Sequence, residues 1–167
     1  MGKTYEQARA IVRIVYEEKK PEVMVTPIET DKSLLDQETF LKALDSEGRS
    51  VFKAILKLSD LHGFPVHWGT KGFTLNVDVD GKHVALCYGY GSKARGGQIV
   101  WTSFTDIINK VKGGESIVKA LREQLRKIGI FSETQKEMKF SFQQKLTEKQ
   151  NKDLADVLVD LANSISP

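Results

Sequence analysis

The clearest alternation of hydrophobic and polar positions lies between Phe73 and Tyr88, where two alternating runs flank Asp80-Gly81. Asp-Gly suits the two positions of positive φ in a type I′ turn, whose twist matches that of the strands it joins. The pattern therefore predicts a β-hairpin with a two-residue loop. An isolated hairpin is at best marginally stable, so the rest of the chain must supply more strands and a helical cover.

The two-residue loop also predicts the register of the hairpin, with Asp78 opposite His83 and Leu75 opposite Leu86. Since side chains alternate with a period of two, one face is predicted to be hydrophobic and the other polar. The polar face is expected to meet water, a partner or a functional site. The hydrophobic face holds Phe73, Leu75, Val77, Val79, Val84, Leu86 and Tyr88. The polar face holds Thr74, Asn76, Asp78, His83, Ala85 and Cys87.

Helical periodicity of hydrophobic residues marks six other segments. These segments are 4–19, 36–44, 49–61, 103–113, 115–128 and 147–165. Pro21 ends the first helix, and Asp36 is expected to cap the second. The residues Ser46-Glu47-Gly48 are interpreted as a break before the third helix. Thr147 and Gln150 have the spacing of a capping box and predict the start of the last helix.

Further strands are expected at 66–70, 98–102 and 137–142, and 22–28 is predicted to be an edge strand or an extended arm. Together these elements predict an α+β fold. Its sheet is mostly antiparallel, has about four to five strands built around the 73–88 hairpin, and carries helices on one face. At 167 residues, a single domain over 1–167 is expected. It has a mainly helical part at 1–62, which could also be a separate unit, and a β-meander with three further helices at 63–167.

Composition narrows the functional classes. The chain is 40% hydrophobic and 28% charged, which is typical of a soluble globular protein. No apolar run approaches the roughly 20 residues of a membrane span, and the N-terminus lacks the apolar core of a signal peptide. The single Cys87 excludes an internal disulfide and agrees with a reducing compartment. A cytoplasmic protein without a membrane partner is therefore expected.

A net charge of +3 is mild, so nucleic-acid binding is indicated only where basic residues cluster. Two clusters are rows on helix faces opposite a buried stripe, and the third lies in the glycine-rich loop 89–97. The candidate nucleic-acid-binding residues are Arg49, Lys53, Lys57, Lys93, Arg95, Lys119, Arg122 and Arg126. The loop could hold a phosphate through its backbone N–H groups, although a flexible connection is the simpler interpretation.

The order of elements also fits a winged helix-turn-helix, with Arg49, Lys53 and Lys57 on its second helix and the hairpin as the wing. The hairpin argues against this interpretation for two reasons. One of its faces is strongly apolar, and its tip carries Asp78 and Asp80, which repel phosphate.

Two arrangements are candidates for catalysis. Asp78 opposite His83 would orient an imidazole for acid–base chemistry, although an ordinary charge pair on a sheet is the more common use of such residues. Glu137 and Lys139 have the Glu-x-Lys spacing of metal-dependent nucleases, in which Asp78 would complete a magnesium site. A turn could bring His62 and His67 together, but two histidines without a third placed ligand do not form a zinc site. No metal or cofactor is therefore expected.

The leading hypothesis is a non-enzymatic intracellular binding domain that recognises a macromolecule through its polar sheet face or a basic helix face. Nucleic acid is the first partner to test, and another protein is the second. The hypothesis rests on charges that lie in rows instead of converging in a pocket. The alternatives are a metal-dependent hydrolase or nuclease that uses Asp78, Glu137 and Lys139, and a structural or oligomerisation domain. The sequence does not indicate a small-molecule ligand.

Overall fold

The computed structural model describes residues 33–167 of the chain. The predicted helix at 4–19 and the predicted strand or arm at 22–28 lie outside the described residues. Residues 33–62 belong to the same unit as the sheet. None of the helices in the described part of the chain is long and apolar enough to cross a membrane.

Five helices and six strands form within residues 33–167. The helices are α1 (Gln37–Lys42), α2 (Ser46–His62), α3 (Phe104–Lys110), α4 (Gly114–Ile128) and α5 (Glu148–Ile165). The strands are β1 (Val66–Trp68), β2 (Gly72–Val79), β3 (Lys82–Tyr90), β4 (Ile99–Thr102), β5 (Ser132–Glu133) and β6 (Met138–Ser141). They form one antiparallel sheet in the order β1-β2-β3-β4-β6-β5. The predicted α+β class is confirmed. The sheet has one strand more than the four to five expected, because β5 has only two residues and is too short to show an alternating pattern.

The hydrophobic core lies between one face of the sheet and the helices. Helix α5 packs against β2 and β3 and contacts α2 and α4. Phe52 of α2 meets Phe73 of β2 with ring centroids 5.8 Å apart, and Phe40 of α1 meets the same ring at 5.4 Å. Leu75 and Val84 of the central hairpin are fully buried in this core. The prediction that helices cover one face of the sheet is therefore confirmed.

The hairpin is the centre of the sheet, because β2 and β3 each have a further strand on their outer side. Asp80 and Gly81 both have positive φ, 50° and 74°, as the predicted two-residue turn requires. A wing of a winged helix-turn-helix projects from its domain, whereas this hairpin is covered by helices. The structure therefore does not support the winged-helix interpretation.

Helix starts follow local side-chain chemistry. Asp36 accepts a hydrogen bond from Thr39 N at 2.7 Å, and the capping box of Thr147 and Gln150 is present, so both predicted starts are confirmed. The predicted break at Ser46-Glu47-Gly48 is wrong, since α2 begins at Ser46. Asp45 caps it by accepting from Gly48 N at 2.7 Å, and this bond lowers the pKa of the Asp45 carboxyl.

A β-bulge changes the predicted register in the second half of the hairpin. Asp78 pairs with His83 and Asn76 with Ala85 as expected, but Leu75 then pairs with Cys87. Leu86 is the extra residue of β3, so the side chains beyond it exchange faces. Cys87 is consequently buried against the helices, and Tyr88 turns to the other face, opposite Thr74. The predictions for Cys87 and Tyr88 are wrong for this reason.

The bulge is held by residues that follow β4. Ser103 Oγ donates a hydrogen bond to Leu86 O at 3.0 Å. Ala85 N donates to Asp106 Oδ2 at 2.8 Å, and both Ala85 and Ser103 are buried. Ala85, expected on a wet face, is therefore covered. Pairing rules within the hairpin do not include these contacts, so the sequence pattern could not indicate the extra residue.

Candidate functional site

The sheet face opposite α2 and α5, called here the open face, carries a row of side chains across all six strands. The row is defined by successive pairs, because directly paired residues on neighbouring strands point to the same face. From β1 to β5 it consists of His67, Thr74, Tyr88, Trp101, Lys139 and Ser132. Aromatic and polar residues dominate this row, which distinguishes it from the apolar face beneath the helices.

Three aromatic side chains, Tyr88, Tyr90 and Trp101, form the centre of the open face and are called here the aromatic platform. All three are partly exposed. Tyr90 and Trp101 meet edge to face with ring centroids 5.7 Å apart, and Lys139 Nζ lies 5.7 Å from the centroid of the Trp101 ring. Burial and the nearby Asp106 carboxylate raise the pKa of Tyr88, so its hydroxyl stays protonated and can donate a hydrogen bond.

A cleft of about 310 Å³ opens beside the platform. Its walls are the three platform residues, the segment 102–106, and Lys136 and Glu137 of the turn before β6. Trp101 Nε1 is buried there and has no hydrogen-bond partner among the described residues. A buried donor without an acceptor costs about 1–3 kcal/mol, so a ligand that offers an acceptor to this indole N–H would recover that free energy.

Basic residues lie beside the platform and in the loop that follows β3. Lys93 and Arg95 belong to the glycine-rich loop that follows β3, and both are exposed. The loop reaches the open face at Gly96, where a Cβ would lie 3.1 Å from Ile99 Cδ1, and Ile99 pairs with Tyr90. Lys136 lines the cleft and Lys139 lies at Trp101, and within residues 33–167 none of these four residues forms an ion pair.

Three of the basic residues predicted on helix faces are engaged in the fold. Arg49 donates to Leu41 O at 3.0 Å and to Leu44 O at 2.9 Å, two carbonyls at the end of α1. Arg122 and Arg126 each pair with Glu133 at 2.7 Å.

The guanidinium of Arg122 also lies 4.4 Å from the centroid of the Phe104 ring. The two arginines lower the pKa of Glu133 to about 2. Lys53, Lys57 and Lys119 remain exposed. Periodicity shows which face of a helix is outside but not what the outer side chains contact, so the sequence could not reveal these ion pairs.

The predicted catalytic residues do not converge. Glu137 precedes β6 and Lys139 lies within it, whereas Asp78 lies on β2, with β3 and β4 between the two strands. Three strand spacings of about 4.8 Å place Asp78 roughly 14 Å from β6, too far to share a metal ion. Among residues 33–167, no group of three or more His, Cys, Asp or Glu side chains is arranged to hold a metal ion.

Asp78 and His83 do form the expected pair, through a hydrogen bond between Asp78 Oδ1 and His83 Nδ1. His67 joins them, since its ring centroid lies 4.5 Å from that of His83 at an interplanar angle of 80°. His62 instead stacks on Phe64 at the end of α2, so the possible approach of His62 to His67 is not observed. No sequence pattern indicates the pair of His67 and His83, because their strands are not neighbours.

Comparison with known proteins yields no match to a family model, a curated protein or a solved structure. The class of protein is therefore defined by its own geometry. The chain is an α+β protein whose antiparallel sheet has one face covered by helices and one face that carries an aromatic platform with Lys136 and Lys139 beside it.

Proposed function

We propose that this protein is a non-enzymatic, cytoplasmic binding domain that recognises single-stranded nucleic acid on the open face of its sheet. The observation that carries the proposal is the aromatic platform of Tyr88, Tyr90 and Trp101, partly exposed, with Lys136 and Lys139 beside it. The proposed interface is the polar face of the sheet, and the basic rows on the helices are not part of it.

Stacking supplies the first part of the proposed affinity. Every nucleobase has a π-face, and stacking on an aromatic side chain contributes about 1–3 kcal/mol per base. Tyr88 and Trp101 are direct partners on neighbouring strands. Bases in a duplex are already stacked and paired, so a flat aromatic surface favours single strands or unpaired loops.

Charge supplies the second part. Lys136 and Lys139 beside the platform, together with Lys93 and Arg95 of the exposed loop, can contact phosphates of a bound strand. For single strands the logarithm of affinity falls by about 0.7 per neutralised phosphate for each decade of salt, so four contacts give a slope near −3. Asp106 does not cancel this charge, because it pairs with Lys110 at 2.8 Å.

The absence of catalysis and the cytoplasmic location belong to the same proposal. The carboxylates considered for a magnesium site lie on separated strands, which favours binding without chemistry. Cys87 is a free thiol enclosed in the core, which suits a reducing compartment.

The test is fluorescence anisotropy with a labelled oligonucleotide of about 12 residues, long enough to cover one binding site, at about 50 mM salt. We expect Tyr88→Ala and Trp101→Ala each to weaken binding at least about 5-fold, as loss of one stacked base requires. Lys57→Ala, on the outer side of α2, is the matched control and should have little effect. Duplex DNA should bind more weakly than either single strand.

The proposal fails if no single-stranded DNA or RNA binds at low salt. It also fails if Lys57→Ala weakens binding as much as the platform variants, because the helix face would then be the interface. Unfolding midpoints of all variants should stay close to that of the wild type, so that lost binding is not a consequence of lost structure.

A further inference from the structure

His67 and His83 meet above β2, at the β1 side of the open face. They lie on β1 and β3, the two neighbours of β2, and their partners on β2, Thr74 and Asp78, are four residues apart along that strand. Their ring centroids are nevertheless only 4.5 Å apart. Both side chains therefore reach inward over the central strand, and the two residues are called here the histidine pair.

Asn76 of β2 leaves room for the two rings to meet. Its side chain is on the open face but only 4% exposed. Its Nδ2 donates to Thr74 O at 3.1 Å and to Pro65 O at 3.2 Å. These bonds hold the amide close to the backbone, so that the histidine pair lies over a fixed floor.

Asp78 sets the tautomer of one ring. A carboxylate only accepts hydrogen bonds, so His83 Nδ1 donates to Asp78 Oδ1 and Nε2 of the neutral imidazole keeps a free lone pair. The His83 side chain is 51% exposed, and His67 is exposed as well. A histidine that donates one nitrogen to a carboxylate and offers the other outward has the arrangement of a metal-ligating histidine.

We propose that the histidine pair binds a divalent transition-metal ion with tetragonal preference, copper(II) or nickel(II), with His67 and His83 in neighbouring coordination positions. With metal–nitrogen bonds of about 2.0–2.1 Å, each ring centroid lies about 3.2 Å from the ion. Two such rings are then about 4.5 Å apart for a right angle at the ion and about 5.2 Å apart for a tetrahedral angle. The separation of 4.5 Å between the two rings allows both to bind one ion at a right angle.

The angle and the number of ligands decide the class of metal. Square-planar or tetragonal nitrogen and oxygen ligation is typical of copper(II) and nickel(II), whereas structural zinc takes four protein ligands in a tetrahedron. Among the described residues no third His, Cys, Asp or Glu converges on the pair. Water completes the coordination, and the bound ion exchanges with solvent. Asp78 stays in the outer shell and fixes the orientation of the His83 ring.

The experiment is calorimetric titration of the full-length chain, without an added histidine tag, with copper(II) and nickel(II) at neutral pH. We expect one ion per chain. His67→Ala and His83→Ala should each weaken binding at least about 10-fold, and Asp78→Asn about 10-fold, as the loss of an outer-shell carboxylate does. The third histidine of the chain provides the control, since His62→Ala should bind like the wild type.

Two further readouts separate ligation from folding. Electron paramagnetic resonance of the copper(II) form should show coupling to two imidazole nitrogens, and to one in His67→Ala. A saturating metal concentration should raise the unfolding temperature of the wild type but not that of His83→Ala. The proposal is overturned if no metal binds at millimolar concentration, or if His62→Ala weakens binding as much as His67→Ala. Nucleic-acid binding is not required for any of these outcomes.

Discussion

The bond between Asp106 and the bulge predicts a specific loss of stability in Asp106→Ala. In the wild type, Asp106 Oδ2 accepts from Ala85 N at 2.8 Å, at a position where Ala85 is only 3% exposed. Without the carboxylate this buried N–H has no acceptor, which costs about 1–3 kcal/mol. For a protein of this size, a loss of about 2 kcal/mol lowers the unfolding temperature by roughly 4–8 °C.

Urea unfolding of the full chain, followed by circular dichroism, measures the difference in the free energy of unfolding. The slope of this free energy against urea concentration should be the same for both proteins. The matched control is Asp160→Ala, an exposed aspartate on α5, which should change the free energy of unfolding by less than about 0.5 kcal/mol. Asp106→Asn keeps an acceptor oxygen and should retain part of the lost stability. If Asp106→Ala unfolds at the same urea concentration as the control, Asp106 does not hold the bulge, and the account of the register shift is refuted.

Two further predictions follow from ionisable side chains. Arg126 and Arg122 lower the pKa of Glu133 from 4.5 to about 2, so their pairing stabilises the fold fully above pH 4.5 and this contribution is lost as the pH falls towards 2. When the free energy of unfolding is measured as a function of pH, Glu133→Gln should lack this loss at low pH, whereas the exposed Glu115→Gln should keep it. Equal curves for Glu133→Gln and the wild type would contradict the pairing. Burial raises the pKa of the Cys87 thiol to about 12, so a thiol reagent at about pH 8 should react at least about 100-fold more slowly with the native protein than with the unfolded chain. Labelling at the unfolded rate would show that Cys87 lies outside the core.

Much of the fold follows from local signals in the sequence. The turn of the hairpin was predictable because Asp80-Gly81 suits two positions of positive φ, and both residues have them. The buried faces of α4 and α5 were predictable because hydrophobic residues recur at helical spacing along both segments, and these residues are buried in the structure. The start of α2 was predicted at residue 49 and lies at Ser46, because Asp45 caps the helix directly before the residues that were interpreted as a break.

The candidate site was less accessible to sequence reasoning, because it depends on contacts between distant segments. The bulge at Leu86 requires Ser103 and Asp106, and it alone turns Tyr88 towards Trp101. A weaker signal did exist in β4. Ile99, Val100 and Trp101 cannot all face the core in a strand, and their alternation already placed Val100 on the face opposite to that of Trp101.

The most direct test of single-strand recognition is the emission of Trp101 during titration with an oligonucleotide. The chain has two tryptophans, and Trp68 packs against Phe40 on the covered side, so Trp68→Phe leaves Trp101 as the only indole. We predict that single-stranded DNA or RNA quenches this emission in a saturable manner and that added salt restores it, because a base stacks on the platform. Unchanged Trp101 emission at oligonucleotide concentrations that saturate binding would place the interface elsewhere and contradict the account.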